Sequence, residues 1–224
     1  GFRAAADFIE TNFVQAGYTV KRQTFEAMRT PCVNLEAERA GASRPAEIIV
    51  LGAHYDTVQG CPGANDNGSA VASLLALARQ WSGRSPGRTL RFVAFANEEP
   101  PFFGTESMGS LVYARRCRER REQIVAMFSL ETMGYFDTTP GSQKYPFPVG
   151  LFYPSRGDFI GFVSHTRNAA LVRQCVASFR RQADFPSEGA ALPAALPGIG
   201  WSDHWAFWQA GYPALMITDT APFR

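Results

Sequence analysis

No stretch of this sequence is apolar for long enough to span a bilayer, and its charges nearly cancel, 22 Lys and Arg against 20 Asp and Glu. A net charge of +2 gives no electrostatic argument for nucleic acid or for an anionic membrane surface. The four cysteines (Cys32, Cys61, Cys117, Cys175) form no CxxC pair, which excludes a zinc-finger or thioredoxin-like motif. Cys117 and Cys175 fall in helical patterns and read as buried thiols; nothing makes Cys61 a nucleophile or a disulfide partner. There is no GxSxG elbow, no HExxH and no phosphate loop, since Gly104–Gly109 (GTESMG) lacks the lysine. No signal peptide is visible, because GFRAAADFIETNF has the spacing of an amphipathic helix. Histidine is scarce, with three in 224 residues, so where each one falls carries weight.

What the chain does have is a core. Hydrophobic residues make up 46% and aromatic residues 13%, which rules out a disordered chain. No repeat or linker divides it, and 224 residues suit a single α/β domain. The basic run Arg115, Arg116, Arg118, Arg120 and Arg121 is interrupted by Glu119 and Glu122 and reads as a solvated helix end.

The apolar spacing predicts a helix over Phe2–Ala16, stopped by Gly17. Tyr18–Phe25 and Val33–Ala40 alternate as an edge hairpin would. Then come a buried strand at Ile48–Ala53, a helix at Gly68–Trp81, a strand at Leu90–Ala96, a helix at Met108–Cys117 and a strand at Ile124–Leu130. Continuously apolar strands alternating with helices argue for an α/β fold with a mostly parallel, mixed central sheet sandwiched between helix layers. Asp137–Pro148 reads as a long loop and Val149–Tyr153 as a short strand. Phe159–Val163 and Ala169–Arg181 read as helix, Phe185–Gly200 as irregular, Ser202–Ala210 as a short helix and Tyr212–Thr218 as the last strand.

Each inner strand ends in a polar residue able to bind a metal. The first gives His54 and Asp56, the second Glu98 and Glu99, the third Glu131, and Ser202-Asp203-His204 follows near the C-terminal end. The open edge of an α/β sheet is where such folds place their chemistry. Adjacent carboxylates repel unless a positive charge lies close, and a divalent metal answers that need. Two histidines with several carboxylates and no thiolate favour zinc. His54, Asp66, Glu99, Glu131 and His204 suffice for two ions if Asp66 bridges, the paired arrangement that clamps a water and polarises a carbonyl. Glu98 is then left free as a general base, and Asp56 sits behind His54 to hold its other ring nitrogen. Asp66 can equally cap the helix that follows it, a role compatible with ligation. His165 has no carboxylate beside it and reads as structural; Glu106 and Asp203 read as helix-start residues. Phe102, Phe103, Tyr135, Phe136 and the tryptophans near His204 suit either an apolar side-chain pocket or the core.

The segments GAHYDTV, GANDNGSAVASLLALAR, FVAFANEEPPFFGT, SLETMGY and WSDHWAFWQAGYPALMITDT, in this order and spacing, resemble the M28 family of zinc-dependent peptidases over nearly the whole chain. The resemblance implies a mixed sheet between helix layers and two zinc ions. It implies His54 as a ligand of one ion and Asp66 as the bridge, with Glu98 as general base and Glu99 and His204 on the other ion. Glu131 stands where many members carry Asp, one methylene shorter. The activity implied is removal of N-terminal residues from peptide substrates; some members are carboxypeptidases and some relatives cyclise N-terminal glutamine through a single zinc. An exported protein is the family-level expectation. Members usually continue past the last strand with a further loop and helix, so a chain ending at Arg224 reads as truncated. The rival from another class is a binding module that kept the fold without catalysis.

Overall fold

A computed structural model of the chain describes residues 1–220 and Phe223; Arg224, on which the expectation of truncation rests, lies outside the described residues. The elements run α1 (Phe2–Gln15), β1 (Val20–Ala27), β2 (Thr30–Arg39), β3 (Arg44–His54), α2 (Ala70–Trp81), β4 (Arg88–Phe95), α3 (Gly109–Glu119) and β5 (Gln123–Glu131). They continue with β6 (Ile160–His165), α4 (Ala169–Gln182), β7 (Ser187–Leu192), α5 (His204–Gln209) and β8 (Ala214–Thr218). The strands form one sheet in the order β1-β2-β4-β3-β5-β8-β6-β7. β3 runs parallel to β4 and β5, β5 to β8, and β6 to β7, while β1–β2, β2–β4 and β6–β8 are antiparallel. This is the mixed, mostly parallel sheet expected.

The strands at the centre of the sheet are apolar on both faces because both are covered. On one face Ile9 and Phe13 of α1 and Leu74 and Ala78 of α2 pack on Leu35, Phe92 and Leu130. On the other, Tyr113 and Cys117 of α3 and Phe207 of α5 pack on Val50, Val93, Phe95 and Met127. Burying each Val, Leu, Ile, Phe or Met among them is worth about 1.5–3 kcal/mol. α4 covers β6 and β7 on the α1–α2 face, through Val172 and Val176 against Ile160 and Phe162.

Three local expectations are corrected. Ile160–His165 is strand β6, not helix; a short apolar run does not distinguish the two, and its β-branched and aromatic residues pair with β7 and β8. Ser187–Leu192, expected to be irregular, is edge strand β7, which forms because β6 offers it a partner under α4. Val149–Leu151 is a single 3-10 turn after Pro148, not a strand. Among the basic residues, Arg116 does not join a solvated helix end. It lies over the Tyr113 ring and donates to the buried Glu36 at 2.7 Å.

Candidate metal centre

His54 closes β3 in register with Phe95 of β4, and Gly52 lets the strand pass against the Phe95 ring, where a Cβ would sit 2.3 Å from Cε2. The loop after β4 turns at Asn97, whose φ of 58° is a conformation asparagine tolerates better than most residues. That turn delivers Glu98 and Glu99 beside the exit of β3. Asp56 joins the two exits: Oδ1 accepts the Glu98 N–H (3.1 Å) and Oδ2 the Glu99 N–H (3.0 Å). Oδ1 also stands 3.4 Å from Nδ1 of His54, and the Asp56 carbonyl lies 3.2 Å from the same nitrogen. A carbonyl only accepts, so Nδ1 carries the proton and Nε2 presents its lone pair away from Asp56.

Nε2 is buried and has no hydrogen-bond partner among the described residues. Around it stand Asp66 Oδ1 at 3.2 Å, Glu131 Oε2 at 3.4 Å and Glu98 Oε2 at 3.7 Å. One ligand atom each from His54, Asp66 and Glu99 lie within 4.8 Å of one another. Burial works against charge on His54, yet Glu131, Glu98, Asp56 and Asp66 together hold its pKa well above the ordinary value. Burial, opposed by His54 and reinforced by Glu131, Asp203 and Asp56, raises Glu98 well above the usual carboxylate range. Burial and then Asp66 push Glu99 up to about 7. Asp56 goes the other way: its burial is outweighed by His54 and the two backbone N–H groups, which lower its pKa. An unpartnered buried imidazole nitrogen facing a ring of crowded carboxylates fits a divalent cation, which reverses this balance.

The segment Asn65–Ser69 holds Asp66 in place through its neighbours. Asn67 donates from Nδ2 to the Leu130 carbonyl and accepts the Thr132 N–H at Oδ1, both at 3.0 Å. Asn65 accepts the Gly134 N–H (3.0 Å) and donates to Asp219 Oδ2 (3.1 Å), while Ser69 Oγ accepts the Met133 N–H (2.8 Å). Asp66 thus stands on a loop sewn to the chain leaving β5, and Asn67 and the residues after it feed straight into α2. In the sequence the amides that flank Asp66 carry no signal beyond their position on either side of it.

Glu131 ends β5, and its Oε2 accepts from Ser202 Oγ (2.7 Å), which lies 2.7 Å from Ser129 Oγ. In the sequence neither serine shows this role; Ser202 stands out only as a neighbour of Asp203 and His204. His204, by contrast, is not brought into the cluster. Its Nε2 lies 2.8 Å from the Ile199 carbonyl and so donates to it, Nδ1 is buried without a partner among the described residues, and the ring stands edge-on to Trp208 at 4.6 Å. Burial lowers its pKa to about 4, the Ile199 bond opposing. The physical reason is helical phase: successive residues at a helix start point about 100° apart, so with Ser202 facing Glu131, His204 faces away. Asp203, fully buried between them at the start of α5, is pushed by burial up to about 7. His165 accepts the Arg167 N–H at Nδ1 (3.1 Å) and meets the same indole edge-on at 4.3 Å, a structural role.

A cavity of about 480 Å³ opens from Asp66, Glu98, Glu99 and Glu131 over β8, β6 and β7, with Phe103, Ile199 and Trp201 on its walls. Of the aromatics expected to line a pocket or the core, Phe103 and Trp201 line this cavity, Phe102 packs on the Ala27–Cys32–Ala96 cluster, and Trp205 lies against Phe103. Tyr135 and Phe136 are exposed.

The family model described as peptidase family M28 matches residues 34–223. The chain is similar to the uncharacterized protein YfbL of Escherichia coli (strain K12), 39% identical over 229 residues, covering 98% of this chain and 69% of that one. Its fold is similar to the crystal structure of the Legionella pneumophila LapA aminopeptidase, with a TM-score of 0.70 at 20% identity, covering 97% of this chain and 54% of that one. It is also similar to a Zn-dependent exopeptidase from Parabacteroides distasonis, with a TM-score of 0.62 at 17% identity, covering 96% and 75%. The chain therefore spans about half the length of the Legionella enzyme, and at these identities the two structures speak for the fold. The match of the family model across most of the sequence establishes kinship: the chain belongs to peptidase family M28, a family of zinc metallopeptidases.

Proposed function

We propose that the protein is a metal-dependent exopeptidase, acting as an aminopeptidase with two zinc ions. The observation that carries this reading is the unpartnered Nε2 of His54, ringed by carboxylates at the mouth of an apolar cavity. His54, Asp66 and Glu131 would hold one ion; Asp66 and Glu99 would hold the other, with no second histidine beside them among the described residues. Bound there, the ions would supply Lewis acidity at the scissile carbonyl and lower the pKa of the attacking water.

The protein groups have separate tasks. Asp56 keeps the His54 ring in one tautomer and fixes the backbone of Glu98 and Glu99, so three site residues share one anchor. Glu98 is buried beside Nε2 without standing among the closest ligand atoms, the place of a base that takes the water's proton and returns it to the leaving amine. The carboxylates favour the ammonium of a peptide N-terminus over a C-terminal carboxylate, which is why aminopeptidase is preferred to carboxypeptidase.

The test is release of aniline chromophore from aminoacyl-anilides with and without chelator, together with metal analysis of the active protein. Chelator-sensitive release and two zinc per chain are expected. Binding of peptides with no hydrolysis at any metal load would make it a binding module, and a single ion with His54 uncoordinated would move it toward the glutaminyl-cyclase type.

A further inference from the structure

Away from the carboxylate cluster the cavity carries one further charge. Its floor is the face of β8, β6 and β7 opposite to α4, and Glu131, Thr218, Gly161 and Glu188 are successive partners in one row across that face. Paired strands lie about 4.8 Å apart, so three steps set Glu188 roughly 14 Å from Glu131. Between them Thr218 is short and Gly161 has no side chain; the Thr220 methyl stands beside Gly161, 3.2 Å from where a Cβ would be, and walls the path on that side. Among the described residues no Lys or Arg lines the cavity. Beside Glu188 stands Tyr153, which donates to the Gly189 carbonyl at 3.0 Å and whose ring centroid is 5.8 Å from that of Tyr145, both rings lining the cavity. A carboxylate next to aromatic rings is a favourable end-point for a cation.

Arg180 of α4 approaches Glu188 from the other face, its Nη2 at 3.6 Å from Oε2, beyond hydrogen-bond range. Its Nε is occupied by Ser187 Oγ at 3.1 Å, and both partners are solvent-accessible, so this pair contributes little.

We propose that Glu188 determines specificity, selecting substrates whose N-terminal residue is lysine or arginine. The proposal rests on the aminopeptidase reading for the position of the substrate. With the α-amino group and scissile carbonyl at the carboxylate cluster, the methylene stem runs over Thr218 and Gly161 between apolar walls. The terminal cation then meets Glu188 and the Tyr153 ring. Among protein side chains only lysine and arginine combine that length with a positive end.

The experiment is calorimetric titration of the zinc-loaded full chain with argininamide, lysinamide and norleucinamide, the last matching the lysine stem without its charge. Argininamide and lysinamide are expected to bind at least tenfold tighter than norleucinamide. Glu188→Gln is expected to bring the ratio within twofold while leaving norleucinamide unchanged. Arg180→Met, which removes this weak pair, is expected to keep the ratio at tenfold or above, which tests the site with Glu188 intact. Equal affinities in the native protein, a ratio that survives Glu188→Gln, or no binding of any amide overturns the proposal. Anilide hydrolysis is read separately. Discrimination among amides without hydrolysis overturns the aminopeptidase reading alone; hydrolysis of leucyl- and arginyl-anilide at equal kcat/KM overturns the Glu188 assignment alone.

Discussion

Two short polar segments flank the carboxylate cluster, each leading into a helix, and they serve it in opposite ways. In Asn65–Ser69, before α2, Asn65, Asn67 and Ser69 are all hydrogen-bonded to the chain beyond β5 or to Asp219, so the one carboxylate among them, Asp66, is left to face His54. In Ser202–His204, before α5, the serine reaches the cluster by its hydrogen bond to Glu131, and Asp203 acts on it through charge, helping to raise Glu98. The imidazole turns to the Ile199 carbonyl and steadies a cavity wall. A residue type suited to metal at a helix start is therefore not sufficient. Its neighbours must absorb the other hydrogen bonds, and the helical phase must aim it.

The largest effect expected concerns the group that both segments surround. Glu98→Gln should keep zinc stoichiometry while kcat falls by about 10²–10⁴-fold, the range for loss of a positioned general base. Metal content by mass spectrometry and turnover of a leucyl-anilide read the two separately. Activity within tenfold of the native protein removes Glu98 from the role.

The two histidines should respond differently to substitution. His54→Gln should weaken zinc binding by at least about 100-fold, since it removes a nitrogen that Asp56 orients and no other group replaces. His204→Gln should leave zinc affinity within threefold, because its ring faces Ile199. Competition with a chromophoric chelator measures both. Equal losses would return His204 to the ligand set.

Much of this was legible in the sequence. The β3–α2–β4–α3–β5 succession is visible because its strands are apolar on both faces and its helices keep one apolar stripe. The positions of His54, Asp56, Glu98, Glu99 and Glu131 follow, since a parallel sheet puts successive strand ends at one edge. β7 was invisible because Ser187-Glu188-Gly189 carries no strand propensity and exists by pairing with β6. Ser129 and Ser202 were invisible because a hydroxyl that orients a carboxylate looks, in sequence, like any other serine. The orientation of His204 depends on the phase of a six-residue helix, which no short motif records.

His204 should also leave a mark on stability. Folded, it remains neutral down to about pH 4, whereas unfolded it takes a proton near its ordinary value of 6.5. Between those values the unfolded chain binds more protons, so stability conferred by the buried neutral ring is present above pH 6.5 and is lost as pH falls toward 4. A shift of that size corresponds to roughly 3 kcal/mol. Urea denaturation of the chelator-treated protein should show a steeper loss between pH 6.5 and 4 than His204→Gln does. Parallel curves would mean that the imidazole is hydrated rather than buried.

Among the losses of metal affinity expected, the smallest falls on the serine. Ser202→Ala removes the donor that fixes Glu131 Oε2 and leaves Ser129 Oγ without that neighbour, but it touches neither His54 nor Asp66. Orienting partners of metal ligands are worth about 10–100-fold in affinity, and because Glu131 keeps its place at the end of β5 the lower figure applies. A tenfold weaker hold on the ion that His54 and Glu131 would share is therefore expected, with the Asp66–Glu99 ion unchanged. Two-step zinc titration separates the ions: a shift in the one step that His54→Gln also weakens assigns Ser202 to Glu131. No shift in that step would show that β5 alone positions Glu131, leaving the α5 segment to act on the metal centre only through the charge of Asp203 and by closing its wall.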